Sequence, residues 1–305
     1  MKTPIVLIIF RRPDKTLKVF EKIRQVKPSK LFVICDAPRP EKSDEYEKCE
    51  KSRAIIDTID WDCEVIKNYA DTNLGSFRRI PTGLDWVFKQ VEEAIILEDD
   101  CLPEITFFRF CEELLECYKN DQRIMAISGN NFQLGNQRNQ DSYYFSHYTH
   151  SWGWATWKRA WKYFDMEMTK WPDVRDKKLL SSILANDRDV KYWTSILQDT
   201  YDSKIQSWDC RWLLSSWLQN GLTILPNVNL ISNIGFGEGA THTASAKNPW
   251  LNLPTQAMSF PLQHPQFIIR DSIADKFTQN SVFNANLKFR LGRKIKKVFK
   301  NYQFQ

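Results

Sequence analysis

Ala94-Ile95-Ile96-Leu97-Glu98-Asp99-Asp100-Cys101-Leu102-Pro103 is the stretch whose reading decides the fold. Its four apolar residues make a short buried strand, and three consecutive carboxylates end it. Open α/β sheets bind ligands outside the carboxyl ends of their strands, so chemistry is expected to gather here. In extended backbone Glu98 and Asp100 project to one side and Asp99 to the other. Crowded negative charge is costly without a cation, and a hard divalent ion that prefers oxygen relieves it. Mn²⁺ or Mg²⁺ bridging a diphosphate is therefore the expected cofactor. The bland alternative is a solvated acidic turn, and the constrained Cys101-Leu102-Pro103 that follows weighs against it.

Outward from this strand the first half alternates apolar runs with helical patterns, the signature of a parallel sheet covered by helices. Strands are expected at Ile5 to Phe10, Leu31 to Cys35, Cys63 to Ile66, Ala94 to Leu97 and Ile124 to Ile127. Pro13-Asp14 opens a helix in which Leu17, Phe20 and Ile23 recur at spacing three. A solvated helix is expected over 41–52 and another over 82–91, after a polar loop from Asn68 to Arg79. The second half holds ten of the twelve Trp, with helical patterns over 155–164, 187–201 and 209–219 and a strand at Leu222 to Leu225.

Composition narrows the class. With 305 residues, 42% hydrophobic and 26% charged, the chain has enough apolar material for one large or two small domains. The longest apolar run, six residues from Ile5, falls far short of the ~20 that span a bilayer. It is also too short for a signal peptide, so none is expected. Seven Cys without a CxxC pair favour reduced thiols and a cytoplasmic location, and four scattered His make structural zinc improbable. The net charge of +6 is a tail property: from Lys276 there are eight Lys/Arg and no Asp/Glu, leaving 35 cations against 37 acids elsewhere. A nucleic-acid-binding body is not expected.

Further candidates fall on the same rim as the acidic triad. Phe10, Arg11 and Arg12 end the first strand and Asp36 the second; Arg meets phosphate or stacks on a base, and Asp accepts from a base or ribose. Asn73 to Arg79 adds a glycine-containing loop with Arg78 and Arg79. Gly235-Phe236-Gly237-Glu238-Gly239-Ala240 has the letters of a dinucleotide motif without the following helix, and reads better as a loop closing over a ligand with His242 at its edge. Asp209 between Trp208 and Trp212 is open to two roles, helix N-cap or general base. Trp152 and Trp154 are likewise either core or sugar-stacking faces, with Gly153 between them allowing close approach.

Taken together, VLIIFRRPDKT, FVICDAPR, NLGSFRRIPTGLDWVF, IILEDDCLP, SWGWATW and WDCRW resemble a GT-A-type glycosyltransferase, close to the bacterial family-2-like and N-acetylglucosaminyltransferase I-like enzymes. The likeness covers about Thr3 to Thr243. It implies an α/β, Rossmann-like, mostly parallel sheet flanked by helices. The catalytic domain would span 1–275, with a nucleotide-sugar half at 1–130, an acceptor half at 131–275, and a tail at 276–305. By this resemblance Phe10, Arg11 and Asp36 bind the nucleoside, Arg78 or Arg79 lies near the diphosphate, and Asp100 ligates the metal. Glu98 and Asp99 serve the ribose and the metal's waters, and Asp209 is the base of an inverting transfer. His242 makes a late metal or phosphate contact, while Trp152, Trp154 and Glu238 face the acceptor.

The implied function is metal-dependent transfer of a sugar from a nucleotide diphosphate to a hydroxyl on a glycan or lipid-linked glycan. Rivals are a metal-dependent nucleotidyltransferase and a non-catalytic sugar-binding or membrane-adaptor protein. In the tail, Leu287, Leu291, Ile295, Val298, Phe299 and Tyr302 repeat at helical steps among basic residues. That pattern lies in an anionic membrane interface, which predicts a peripheral position on the inner face of the plasma membrane.

Overall fold

A computed structural model describes residues 1–235, 250 and 252–283. In chain order the first half runs β1 (Ile5–Ile9), α1 (Pro13–Val26), β2 (Lys30–Cys35), α2 (Ser43–Ile56), β3 (Glu64–Tyr69), α3 (Gly75–Phe88), β4 (Glu93–Glu98), β5 (Cys101–Pro103), α4 (Thr106–Cys117) and β6 (Ile124–Ser128). There follow β7 (Tyr143–Ser146), β8 (Trp154–Trp157), α5 (Lys158–Trp161), α6 (Trp171–Asp176), α7 (Asp187–Tyr201) and α8 (Trp208–Leu218). The last elements are β9 (Leu222–Pro226), β10 (Ile231–Asn233) and α9 (Ser272–Thr278).

β1 is apolar and buried at all five positions, as a strand covered on both faces must be. Its alternation sends Ile5, Leu7 and Ile9 into a layer with Val19, Phe20 and Ile23 of α1. Val6 and Ile8 enter the opposite layer with Ile80, Leu84 and Val87 of α3. The main sheet has eight strands in the order β3-β2-β1-β4-β8-β6-β9-β7. β1 pairs in parallel with β2 and β4, as β2 does with β3 and β6 with β9. β8 runs against both β4 and β6, and β7 against β9. The expected α/β, Rossmann-like, mostly parallel sheet flanked by helices is therefore present.

Two local expectations fail for physical reasons. The helix predicted over 155–164 is a strand for its first part: Trp154 joins one layer while Ala155 and Trp157 join the other, a period of two that fills the slot between β4 and β6. Only the single turn of α5 follows it. The helix predicted from Thr82 begins earlier, at Gly75, and carries Pro81 inside it. The first turn of a helix leaves amides without partners; Asp36, at the end of β2, accepts from the Leu74 and Gly75 amides there.

A small second sheet sets the far wall of the site. β10 pairs antiparallel with β5 immediately after the acidic turn, and the Ile234 amide then donates to the Asp100 carbonyl at 2.8 Å. Gly153 makes this possible. Its φ is +63°, and a Cβ there would stand 2.4 Å from Ile231 Cδ1. The close approach is thus to β10, not to a ligand as its place between two tryptophans suggested.

The chain after residue 252 returns along the sheet edge: the Asp271 amide donates to the Phe145 carbonyl of β7, and Asp271 caps α9. Residues 276–283, placed with the tail on sequence, pack on the body, where buried Gln279 accepts from Tyr148 and Trp193. The amphipathic pattern from Leu287 onward lies outside the described residues.

Gly153→Ala combines a left-handed backbone with a clash against Ile231, which together cost roughly 2–5 kcal/mol. The expected outcome is a clear fall in denaturant midpoint, and a variant as stable as the parent would contradict the packing described for β10.

Candidate functional site

The carboxyl ends of β1, β2 and β4 open into a cavity of about 840 Å³. Its far side is made by Ser151 and Trp152, by the approach to α8 from Lys204 to Asp209, and by Asn233 and Gly235. Gly235 packs so closely on the Asp100 carboxylate that a Cβ would lie 1.9 Å from Oδ2.

The acidic triad does not fan out as an extended strand would. β4 ends at Glu98, and the chain turns at Asp99-Asp100, so these two carboxylates face the same partner, Arg12. One guanidinium nitrogen donates to Asp100 Oδ2 at 2.7 Å and the other contacts Asp99 Oδ1. The Phe10 amide adds a bond to Asp99 Oδ2 at 3.3 Å. Burial opposes the charge on Arg12, but Asp99 and Asp100 outweigh it and raise its pKa further above the usual arginine range. Among the described residues Glu98 has no cationic side chain bonded to it in this way. Burial, then Asp100 and Asp99, push it up to about 8. Burial likewise pushes Asp99 up to about 6 against the pull of Arg12.

The other rim residues divide by what already engages them. Glu45, wholly buried, receives both Arg11, at 3.3 Å, and Arg39. Phe10 lines the cavity with the Arg11 guanidinium 5.9 Å from its ring centre. Asp36 also reaches the wall, where its carboxylate accepts from the backbone amides at the start of α3. Arg79 lines the cavity too, but it is largely buried and donates to the Cys35 and Asn68 carbonyls, tying together the ends of β2 and β3. Desolvation lowers its pKa. Arg78 is exposed and does not line the cavity.

Asp209 is not the N-cap of α8. Ser207 holds that place, accepting from the Cys210 amide at 3.1 Å, and Asp209 stands exposed at the cavity wall. It accepts from Ser207 Oγ and from the Cys210 amide, and its charge contributes to the raised Glu98 pKa. Trp152 lines the cavity beside Phe132. Trp154 does not. It is 2% exposed and packs at 5.8–6.1 Å on Trp208, Trp212 and Trp161, so its acceptor-facing role is withdrawn. Glu238 and His242 lie outside the described residues.

Among the described residues no group of three or more His, Cys, Asp and Glu is arranged to hold a metal ion. The donor set instead fits a hard cation that takes a carboxylate and completes its shell with phosphate oxygens and water, as Mg²⁺ does. The observation behind that fit is the crowding that raises Glu98, which a divalent charge would reverse. Arg12 is the residue the sequence reading left without its own role; a second arginine beside Arg11 is the only local signal for it.

No protein-family model matches the chain, and no curated protein does. Solved structures similar to it include a galactosyltransferase, LgtC, in complex with donor and acceptor sugar analogs: 11% identity and a TM-score of 0.38 over 91% of this chain and 94% of that one. Mouse xyloside xylosyltransferase 1 in its apo form gives 11% and 0.37 over 72% and 84%. A cytidylyltransferase from Leptospira borgpetersenii serovar Hardjo-bovis gives 11% and 0.32 over 54% of this chain and 64% of its own, so this chain spans less than two thirds of that protein.

A carboxyl raised in the fold binds a proton that the unfolded chain has released, so stability falls as pH rises from about 4.5 to about 8. Glu98→Gln should flatten that fall when melting temperature is followed across this range without nucleotide or metal. Parallel curves for the two proteins would show that Glu98 does not titrate there.

Proposed function

We propose that the protein is a metal-dependent glycosyltransferase that moves a sugar from a nucleotide diphosphate to a hydroxyl of a glycan or lipid-linked glycan, with inversion. The observation that carries this is the joining of the acidic turn after β4, Arg12 and the exposed Asp209 in one cavity at the carboxyl ends of the strands. Its volume of about 840 Å³ suits a ligand larger than a single sugar or base.

In this mechanism Phe10 and Trp152 offer apolar faces to the base and the acceptor. Asp100, whose side chain is 14% exposed, would hold Mn²⁺ or Mg²⁺ together with diphosphate oxygens. When bound, the ion neutralises charge on the leaving diphosphate. Arg12 is the cation already at the acidic turn, and its fork can exchange a carboxylate for a phosphate oxygen. Asp209 takes the proton of the acceptor hydroxyl as that oxygen attacks the anomeric carbon. Glu45 keeps Arg11 and Arg39 on the rim. The basic segment 276–305 would bring the site to an anionic membrane surface that carries the acceptor.

Asp100→Asn should abolish the Mn²⁺-dependent rise in melting temperature given by a nucleoside diphosphate; the apo variant should melt lower than the parent, since Arg12 loses a charged partner, but remain folded because Asp99 still engages that guanidinium. A Mn²⁺-dependent rise of parental size would remove the metal assignment. Asp209→Asn retains size and polarity, and Ser207 still caps α8. Its donor-induced thermal shift should persist while transfer falls at least about a hundredfold. Product analysis should find free nucleoside diphosphate; pyrophosphate would mean attack at phosphorus and a nucleotidyltransferase.

A further inference from the structure

Nine large apolar side chains are exposed among the described residues, and Leu134, Phe267, Ile269 and Ile273 gather around α9 and the segment leading into it. Phe267, Ile269 and Ile273 are 63, 69 and 70% exposed. Two features of the local sequence place them there. Phe267 and Ile269 precede the point where Arg270 forms a parallel bridge to Phe145 of the edge strand β7. Ile273 sits in the first turn of α9, whose other side buries Ala274 and Asp275. Leu134 follows Gln133, whose amide donates to the Ala274 carbonyl and to Thr278.

Charge on this surface is sorted. Asp275 is 2% exposed and turned inward, receiving Ser146 Oγ, the His147 amide and Arg270. Asp271 is used by the Ile273 and Ala274 amides. Lys276 is exposed, and from it onward the sequence holds eight Lys/Arg and no acid. An apolar surface whose acids are engaged, continuous with an all-cationic segment, is matched in charge to an anionic bilayer, where apolar side chains enter the acyl boundary and cations meet headgroups. None of these apolar residues lines the large cavity, so this surface is separate from the site.

We propose that Phe267, Ile269 and Ile273 form the face by which the folded body seats on an anionic lipid bilayer. This rests on the membrane role proposed above for residues 276–305, and adds an apolar wedge on the body to the charge of the tail.

The test measures binding of the full chain to phosphatidylcholine vesicles with and without phosphatidylserine. One variant carries Phe267→Ser, Ile269→Ser and Ile273→Ser; a second carries Arg293→Gln, Lys294→Gln, Lys296→Gln and Lys297→Gln; a third combines them. The exposed positions should leave melting temperature unchanged. The triple variant should bind phosphatidylserine vesicles at least about tenfold more weakly, since each side chain loses a burial worth more than a factor of ten. The charge variant should lose the salt-sensitive part alone, and the combination should lose both. Parental binding by the triple variant, with loss in the charge variant, overturns the wedge and leaves the tail's role standing. Loss in the triple variant with none in the charge variant supports the wedge and removes the tail's role. Failure of the full chain to bind overturns both. A dimer in sedimentation that the triple substitution dissociates also overturns the proposal, because a second copy then covers this face.

Discussion

Strand pairing joins β1 and β4 only as far as Ile8 against Glu98. Beyond that register the Phe10 amide still reaches Asp99, and the guanidinium of Arg12 continues the junction. Its fork takes Asp99 and Asp100, while its own carbonyl accepts the amides of Lys15 and Thr16 that start α1. One residue therefore fixes the exit of β1, the start of a helix and the turn after β4. Removing a single partner from a half-buried pair of this kind is costly because the other charge remains in a poor environment. The positions of Asp99 and Asp100 follow from this contact, and Glu98 is the one member of the triad that Arg12 does not touch.

The rest of the rim is organised on the same principle, charge spent on structure so that other charge stays available. Glu45 holds Arg11 and Arg39, Asp36 holds the start of α3, and Arg79 holds the ends of β2 and β3. Asp209 remains exposed at the wall, and Asp100 stands there sharing Arg12 with Asp99. A site built this way offers few groups to a ligand, but those groups stand on strand ends and a helix start that packing has already fixed, which is what orientation-dependent chemistry requires.

Much of the fold was legible because buried parallel strands are written as apolar runs: β1, β2, β4 and β6 all appear within a residue or two of their expected bounds. The acidic turn and the long α7 were legible for the same local reasons. What was not legible depended on distance. Nothing in the spacing of residue 12 and residues 99–100 announces that they meet, and nothing near Arg79 shows that two backbone carbonyls will consume it. Trp154–Trp157 misled because tryptophan suits helix, strand and core alike, and the slot between β4 and β6 decided the matter. Asp36 was placed on the rim, but its bonds to the backbone at the start of α3 were not foreseen, since that helix begins at Gly75 and not at Thr82.

The insertion of β8 between β4 and β6 has a consequence for the nascent chain. β3, β2, β1 and β4 are contiguous in the sheet and are all synthesised by residue 98, yet the free edge of β4 finds its neighbour only when residues 154–157 arrive. For more than fifty residues of synthesis an apolar parallel half-sheet carries an unpaired edge, the kind of surface that recruits other chains. Because β8 runs antiparallel, it closes that edge and presents its other side to β6 in one step. Half-sheet completion is thus a long-range event in this topology, since it waits on a strand more than fifty residues further along the chain.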